Sequence, residues 1–181
     1  MRAKRLFVSV DLPETIARLL AELDPQGSGI RWVTPEQMHV TLAFFGNVRV
    51  ELEEKLLNQL ETINFKAFFL PLQGFGTYPA RGRPNVLWLG VGRGHPHLFQ
   101  LHKKVADAAL AAGLEPDLRP WHPHITVARC KGVSASAVRP FLREHAETDL
   151  GLVPIDRFHL KSSLLTPAGS IYTNEMTVCA Q

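Results

Sequence analysis

Cysteine is scarce: the chain has only two, Cys130 and Cys179. That excludes a disulfide framework and any Cys-x-x-Cys redox or zinc pair, and it suits a reducing, cytoplasmic setting. Long apolar runs are missing as well. The basic start Met1-Arg2-Ala3-Lys4-Arg5 precedes Leu6-Phe7-Val8-Ser9-Val10, which suggests a signal peptide. The apolar run is too short for one, and Asp11-Leu12-Pro13-Glu14 ends it at once. No stretch approaches a membrane span, so no membrane partner is expected. Low-complexity segments and long linkers are absent too. Neither sign of charge dominates: 20 Lys and Arg face 17 Asp and Glu, for a net charge of +3. Such a balance permits an anionic partner without demanding one.

What is present fits one soluble domain, or one domain of two half-size lobes, spanning 1–181. Leu6–Val10 reads as a strand. Pro13 then opens a helix whose apolar face carries Ile16, Leu19, Leu20 and Leu23. Leu52, Leu56, Leu60 and Ile63 mark a second helix, and His97 to about Ala112 a third, which Gly113 stops. Ser134 or Ser136 caps a further helix, with Pro140 obscuring its start. Ala67–Leu72 and Val86–Val91 read as strands. Two more, Arg157–Leu165 and Tyr172–Cys179, flank a Thr166-Pro167-Ala168-Gly169-Ser170 turn.

Two runs stand out. His39-Val40-Thr41-Leu42-Ala43-Phe44 and His124-Ile125-Thr126-Val127-Ala128-Arg129 share His, Thr and Ala at the same offsets. Both are rich in β-branched residues and read as strands. Residues two apart share a strand face, so His39 and Thr41 point one way, as do His124 and Thr126. The opposite faces carry Met38, Val40, Leu42 and Phe44, and Ile125 and Val127. One His-x-Thr triplet is weak evidence, but two in matching strands form a constellation. Their separation, close to half the chain, suggests two similar α+β halves facing each other.

Two facing imidazoles suit concerted acid–base work, because one can be neutral and the other charged near neutral pH. Two Thr hydroxyls add donors for phosphate oxygens. A phosphodiester needs a base for the nucleophile and an acid for the leaving oxygen on opposite sides of phosphorus. Two pseudo-symmetric strands supply both without a metal, and an RNA 2′,3′-cyclic phosphate is a natural target.

The paired motifs, the Arg5-Leu6-Phe7 strand and Pro35-Glu36 before the first motif resemble the two-histidine (2H) phosphoesterase superfamily. Within it the chain is most similar to the RNA 2′,3′-cyclic phosphodiesterases, also called 2′-5′ RNA ligases. The resemblance implies a bilobal α+β fold, each lobe an antiparallel sheet with helices outside, around a central groove. It implies hydrolysis of an RNA terminal 2′,3′-cyclic phosphate to a 2′-phosphate, with neither metal nor cofactor. Run in reverse, the same site joins RNA through a 2′-5′ bond without ATP. His39 matches the proton donor and His124 the proton acceptor. Thr41 and Thr126 match the phosphate-binding positions. The partner is RNA with a cyclic phosphate end, tRNA fragments included, or a cyclic nucleotide, and the protein is expected to be a monomer.

Arg129 matches a basic position after the second motif. Strict alternation puts it on the face opposite His124, and it reaches phosphate only if the strand ends or bulges before it. Phe45 shares the parity of His39 and, with Phe7, Tyr78 and Trp121, is a candidate to stack on a base. Arg81, Arg83, Lys103, Lys104, Arg119 and Lys131 are candidates to guide an RNA backbone, or simply a solvated surface. Rival readings are a non-catalytic nucleotide-binding module, an enzyme for another cyclic phosphate such as that of ADP-ribose, and a zinc hydrolase using His122 and His124. No acidic or Cys ligand stands beside those histidines to complete a zinc site.

Overall fold

A computed structural model describes residues 3–92, 95–115, 117, 119–167 and 169–181. Met1 and Arg2 of the basic start, and Ala168 of the closing turn, lie outside the described residues. The chain is α+β, and every strand pair is antiparallel.

The first half builds β1 (Ala3–Asp11), α1 (Glu14–Glu22), β2 (Ile30–Trp32), β3 (His39–Arg49), α2 (Val50–Glu61) and β4 (Phe68–Gln73). The second builds β5 (Phe75–Tyr78), β6 (Val86–Gly90), α3 (Pro96–Ala111), β7 (His124–Cys130) and α4 (Ala135–Glu144). The chain closes with β8 (Asp149–Ile155), β9 (Arg157–Thr166) and β10 (Gly169–Cys179). Pro13 caps α1, Pro96 starts α3 behind His95, and Ser134 caps α4, each a residue that suits a helix start. Pro140 lies inside α4 rather than at its start.

The sheet runs β10-β9-β1-β3-β7-β6-β5, with β2 also paired to β7. Its two halves meet where Val40 of β3 lies opposite Ile125 of β7. The two expected sheets are thus one hydrogen-bonded surface joined at a narrow waist. Beyond the waist β7 exchanges β3 for β2, and Trp32 faces Ala128. Val40, Leu42, Ile125 and Val127 are fully buried on the helix-covered side. Each such side chain contributes about 1.5–3 kcal/mol of transfer free energy, so the greasy faces fix which way the polar faces look.

β8 has no counterpart in the sequence reading. Gly151 and Pro154 interrupt it and Leu152 is 64 % exposed, because it pairs only with β4 in a two-stranded ribbon. An edge position tolerates proline, since no second neighbour needs its missing N–H. Among the described residues, no helix is long and apolar enough to cross a membrane.

Candidate functional site

The Val40–Ile125 pair sets the site. In an antiparallel ladder the next positions on either side set His39 abreast of Thr126 and Thr41 abreast of His124. All four turn away from the core. They line one cleft of about 580 Å³, together with Arg5, Arg31 and Arg129.

Two bulges shape the cleft. Along β1, Val8 faces Ala43 while Ser9 faces Thr41, so Leu42 is an extra residue in β3. Along β6, Leu87 faces Ala128 while Trp88 faces Thr126, so Val127 is an extra residue in β7. An extra residue reverses the parity of everything after it. Ala128 is therefore fully buried and Arg129 turns into the cleft, against strict alternation. Phe44 likewise leaves the apolar face and lines the cleft, 39 % exposed, with the Arg5 guanidinium 4.6 Å above its ring. Phe45 is displaced from the face shared with His39 and lines a separate, adjoining pocket.

His39 stacks on Phe7, with ring centroids 5.1 Å apart, and meets the edge of Tyr172 at 5.4 Å. Phe7 is only 4 % exposed and both rings crowd it, so it supports His39 rather than offering a face to a base. Behind the ring, Asp11 pairs with His39 in the ladder and accepts two bonds from the buried Lys161 ammonium at 2.6 and 2.7 Å. Ser9, itself fully buried, adds a bond to Asp11. Burial pushes the His39 pKa down to about 4, and the Lys161 charge lowers it further. Asp11 and the Gln37 carbonyl pull the other way, and His124 adds to the lowering. The sequence expectation of one charged imidazole thus does not hold for the unliganded site near neutral pH.

His124 is more defined. Its Nδ1 lies 2.8 Å from the His122 carbonyl oxygen, which can only accept. Nδ1 therefore carries the proton and Nε2 is the basic nitrogen. Burial lowers its pKa too, against the pull of that carbonyl. Tyr78 meets the ring edge-on, with centroids 5.0 Å apart.

The segment delivering His124 is pinned to the first motif. Trp121 donates its indole N–H to the Thr41 carbonyl at 3.0 Å, and His102 of α3 bonds the Leu42 carbonyl at 2.7 Å. Their rings lie flat on each other, 4.0 Å apart and 5° from parallel. Trp121 is therefore a brace rather than a stacking surface for a base.

None of Arg81, Arg83, Lys103, Lys104, Arg119 and Lys131 lines the cleft. Lys103 pairs with Asp107, Lys104 bonds the Asn64 carbonyl, and Arg119 pairs with Asp117. The cationic side chains there are instead Arg5, Arg31 and Arg129, the last two facing each other across β2 and β7. Tyr172, Gln37 and Ser163 complete the wall. Arg5 was visible in principle, since it shares the β1 parity of Phe7. Tyr172 had no sequence signal. His122 and His124 do not begin a metal site: no group of three or more His, Cys, Asp or Glu able to hold an ion occurs among the described residues.

The profile of a family described as LigT like phosphoesterase matches the chain twice, over residues 6–88 and 91–172. Each match contains one His-x-Thr strand. An RNA 2′,3′-cyclic phosphodiesterase of Aeropyrum pernix is 34% identical over 158 residues, covering 87% of this chain and 90% of its own. One of Aquifex aeolicus is 32% identical over 170 residues, covering 92% and 90%. Among solved structures, Escherichia coli LigT complexed with 3′-AMP superposes with a TM-score of 0.80 at 27% identity over 99% of each chain. TT0787 of Thermus thermophilus gives 0.81 at 25% identity over 97% of each.

Proposed function

The chain belongs to the LigT-like phosphoesterase family, and from that premise we propose that it hydrolyses RNA 2′,3′-cyclic phosphate ends to 2′-phosphates, with His39 and His124 as the acid–base pair. The observation that carries this reading is the Val40–Ile125 register, which sets each histidine abreast of the other motif's threonine.

The cyclic phosphate monoanion enters the cleft among Arg5, Arg31 and Arg129. Its non-bridging oxygens accept from Thr41 and Thr126, and Arg129 adds charge-assisted bonds. His124 Nε2 takes a proton from water as the oxygen attacks phosphorus. The P–O3′ bond breaks opposite the entering oxygen, and His39 protonates the departing O3′. His39 acquires that proton when the substrate anion arrives, because a negative charge beside the ring offsets the burial that holds it neutral. The strained five-membered ring is relieved, and the 2′-phosphate remains. No step calls on a metal or a cofactor. With a 5′-hydroxyl in place of water, the same transfer forms a 2′-5′ linkage. The two free thiols, Cys130 and Cys179, fit a reducing cytoplasm.

The test is turnover of a 2′,3′-cyclic nucleotide with chelator present, with the product identified by phosphorus NMR. A 2′-phosphate formed at an undiminished rate supports the reading. A 3′-phosphate, or dependence on added metal, overturns it. Binding without turnover would favour a nucleotide-binding module.

A further inference from the structure

A second pocket of about 380 Å³ opens beside the cleft. It shares Thr41, Phe44 and His124 with the cleft but contains neither His39 nor Thr126. Its remaining wall is largely apolar: Phe45, Tyr78, Trp121 and the small face of α3 at Ala106 and Ala109. The volume lies in the ~300–1,000 Å³ range of small-molecule sites. The rigid His102–Trp121 stack holds it open, since both rings are tied to the β3 backbone.

In-line displacement at phosphorus puts the entering and leaving groups on opposite sides. The leaving O3′ stays attached to the donor nucleoside, which therefore lies on the side of the acid, His39. Whatever carries the nucleophile lies on the side of the base. A pocket that touches the base and excludes the acid has the placement an acceptor requires.

We propose that this pocket binds the terminal nucleoside of an RNA with a free 5′-hydroxyl, so that its O5′ reaches His124 and attacks the cyclic phosphate. The inference rests on the two-histidine reading above and adds a site for the second substrate. The step balances without a co-reactant. O5′ gives its proton to His124 Nε2, the O5′–P bond forms, the P–O3′ bond breaks, and O3′ takes a proton from His39. The base packs against Phe45, Tyr78 and Ala106, where stacking is tolerant of base identity. Glu115 and Asp117 stand at the mouth, Asp117 paired with Arg119. Carboxylates there disfavour a 5′-phosphate and accept an uncharged hydroxyl end.

The experiment supplies wild-type protein with 2′,3′-cyclic CMP and millimolar uridine, and measures 2′-5′ dinucleoside monophosphate against 2′-CMP. Ala106→Trp fills the pocket and Ala106→Leu fills part of it. Transfer by the wild type, with the transfer-to-hydrolysis ratio falling about tenfold or more in Ala106→Trp and by less in Ala106→Leu, is expected. Hydrolysis kcat/KM should stay within about twofold, which also reports intact folding. A wild type that hydrolyses but never transfers overturns the inference. So do variants that change transfer and hydrolysis alike, or that raise the hydrolysis KM about tenfold, since the pocket then serves the donor. If the wild type hydrolyses no cyclic phosphate, the reading of the site itself fails.

Discussion

Phe44 and Arg129 occupy equivalent places in the two halves: each follows its histidine by five residues, and each is turned into the cleft by one extra residue in its strand. The bulges fall at Leu42 and Val127, immediately after the threonines. The same device thus ends the greasy alternation and aims a recognition side chain at whatever the four motif residues hold.

Arg129 should act chiefly in binding. Arg129→Ala is expected to raise KM for a cyclic nucleotide about tenfold, equivalent to losing one charge-assisted bond of ~1.5 kcal/mol, with a smaller effect on kcat. Steady-state kinetics checks this. A fall in kcat alone, at constant KM, would assign Arg129 to the transition state only.

The pH dependence follows from the direction of the two histidine shifts. Burial lowers both below the ordinary value, His39 to about 4. kcat/KM reports the free protein, so its bell should have an acid limb near pH 4 and an alkaline limb below pH 6.5. These limbs belong to the pair, since the groups interact. The bell for kcat should lie at higher pH, because bound phosphate favours the charged rings. Stability has the corresponding sign. His39 stays neutral in the folded chain between pH 6.5 and about 4, while the unfolded chain takes up a proton, so stability falls as pH falls through that window. A kcat/KM optimum above pH 7 would contradict these shifts.

The motif pairs were legible because their chemistry is local. His39 with Thr41 and His124 with Thr126 obey a two-residue period that needs no knowledge of neighbours. Arg129 and Phe45 were not settled in the same way, since their direction depends on bulges set by register against β1 and β6, far off in sequence. Arg31 and Tyr172 reach the cleft only through pairing with β7 and β9. The His39 environment was equally hidden: Asp11 and Lys161 are 150 residues apart and meet only in the folded sheet.

Lys161 is expected to matter for stability. It is 7 % exposed, and its removal leaves the Asp11 carboxylate beside His39 without its main partner. Lys161→Met should cost about 3 kcal/mol by denaturant unfolding, with much of it restored by adding Asp11→Leu. A loss that the second change deepens would show that the pair is not the unit responsible.

Gly76 supports the second half of the site. A Cβ there would stand 2.2 Å from the Trp88 ring, which lies 5.4 Å from Tyr78. Tyr78 in turn packs on His124. Gly76→Ala should therefore destabilise by about 1–3 kcal/mol and lower turnover, and Trp88→Leu in the same chain should relieve most of the stability loss. Thermal unfolding of the single and double variants decides it. A Gly76→Ala protein as stable as wild type would refute the contact.

The central claim is that two imidazoles act on one phosphorus, and the most direct measurement is kcat/KM on a 2′,3′-cyclic nucleotide for His39→Ala, His124→Ala and the double variant. Each single change should cost about 10²–10⁴-fold, and the double variant should be little worse than the poorer single, as expected of groups working in one step. Activity close to wild type in either single variant, or losses that multiply in the double, would contradict the account.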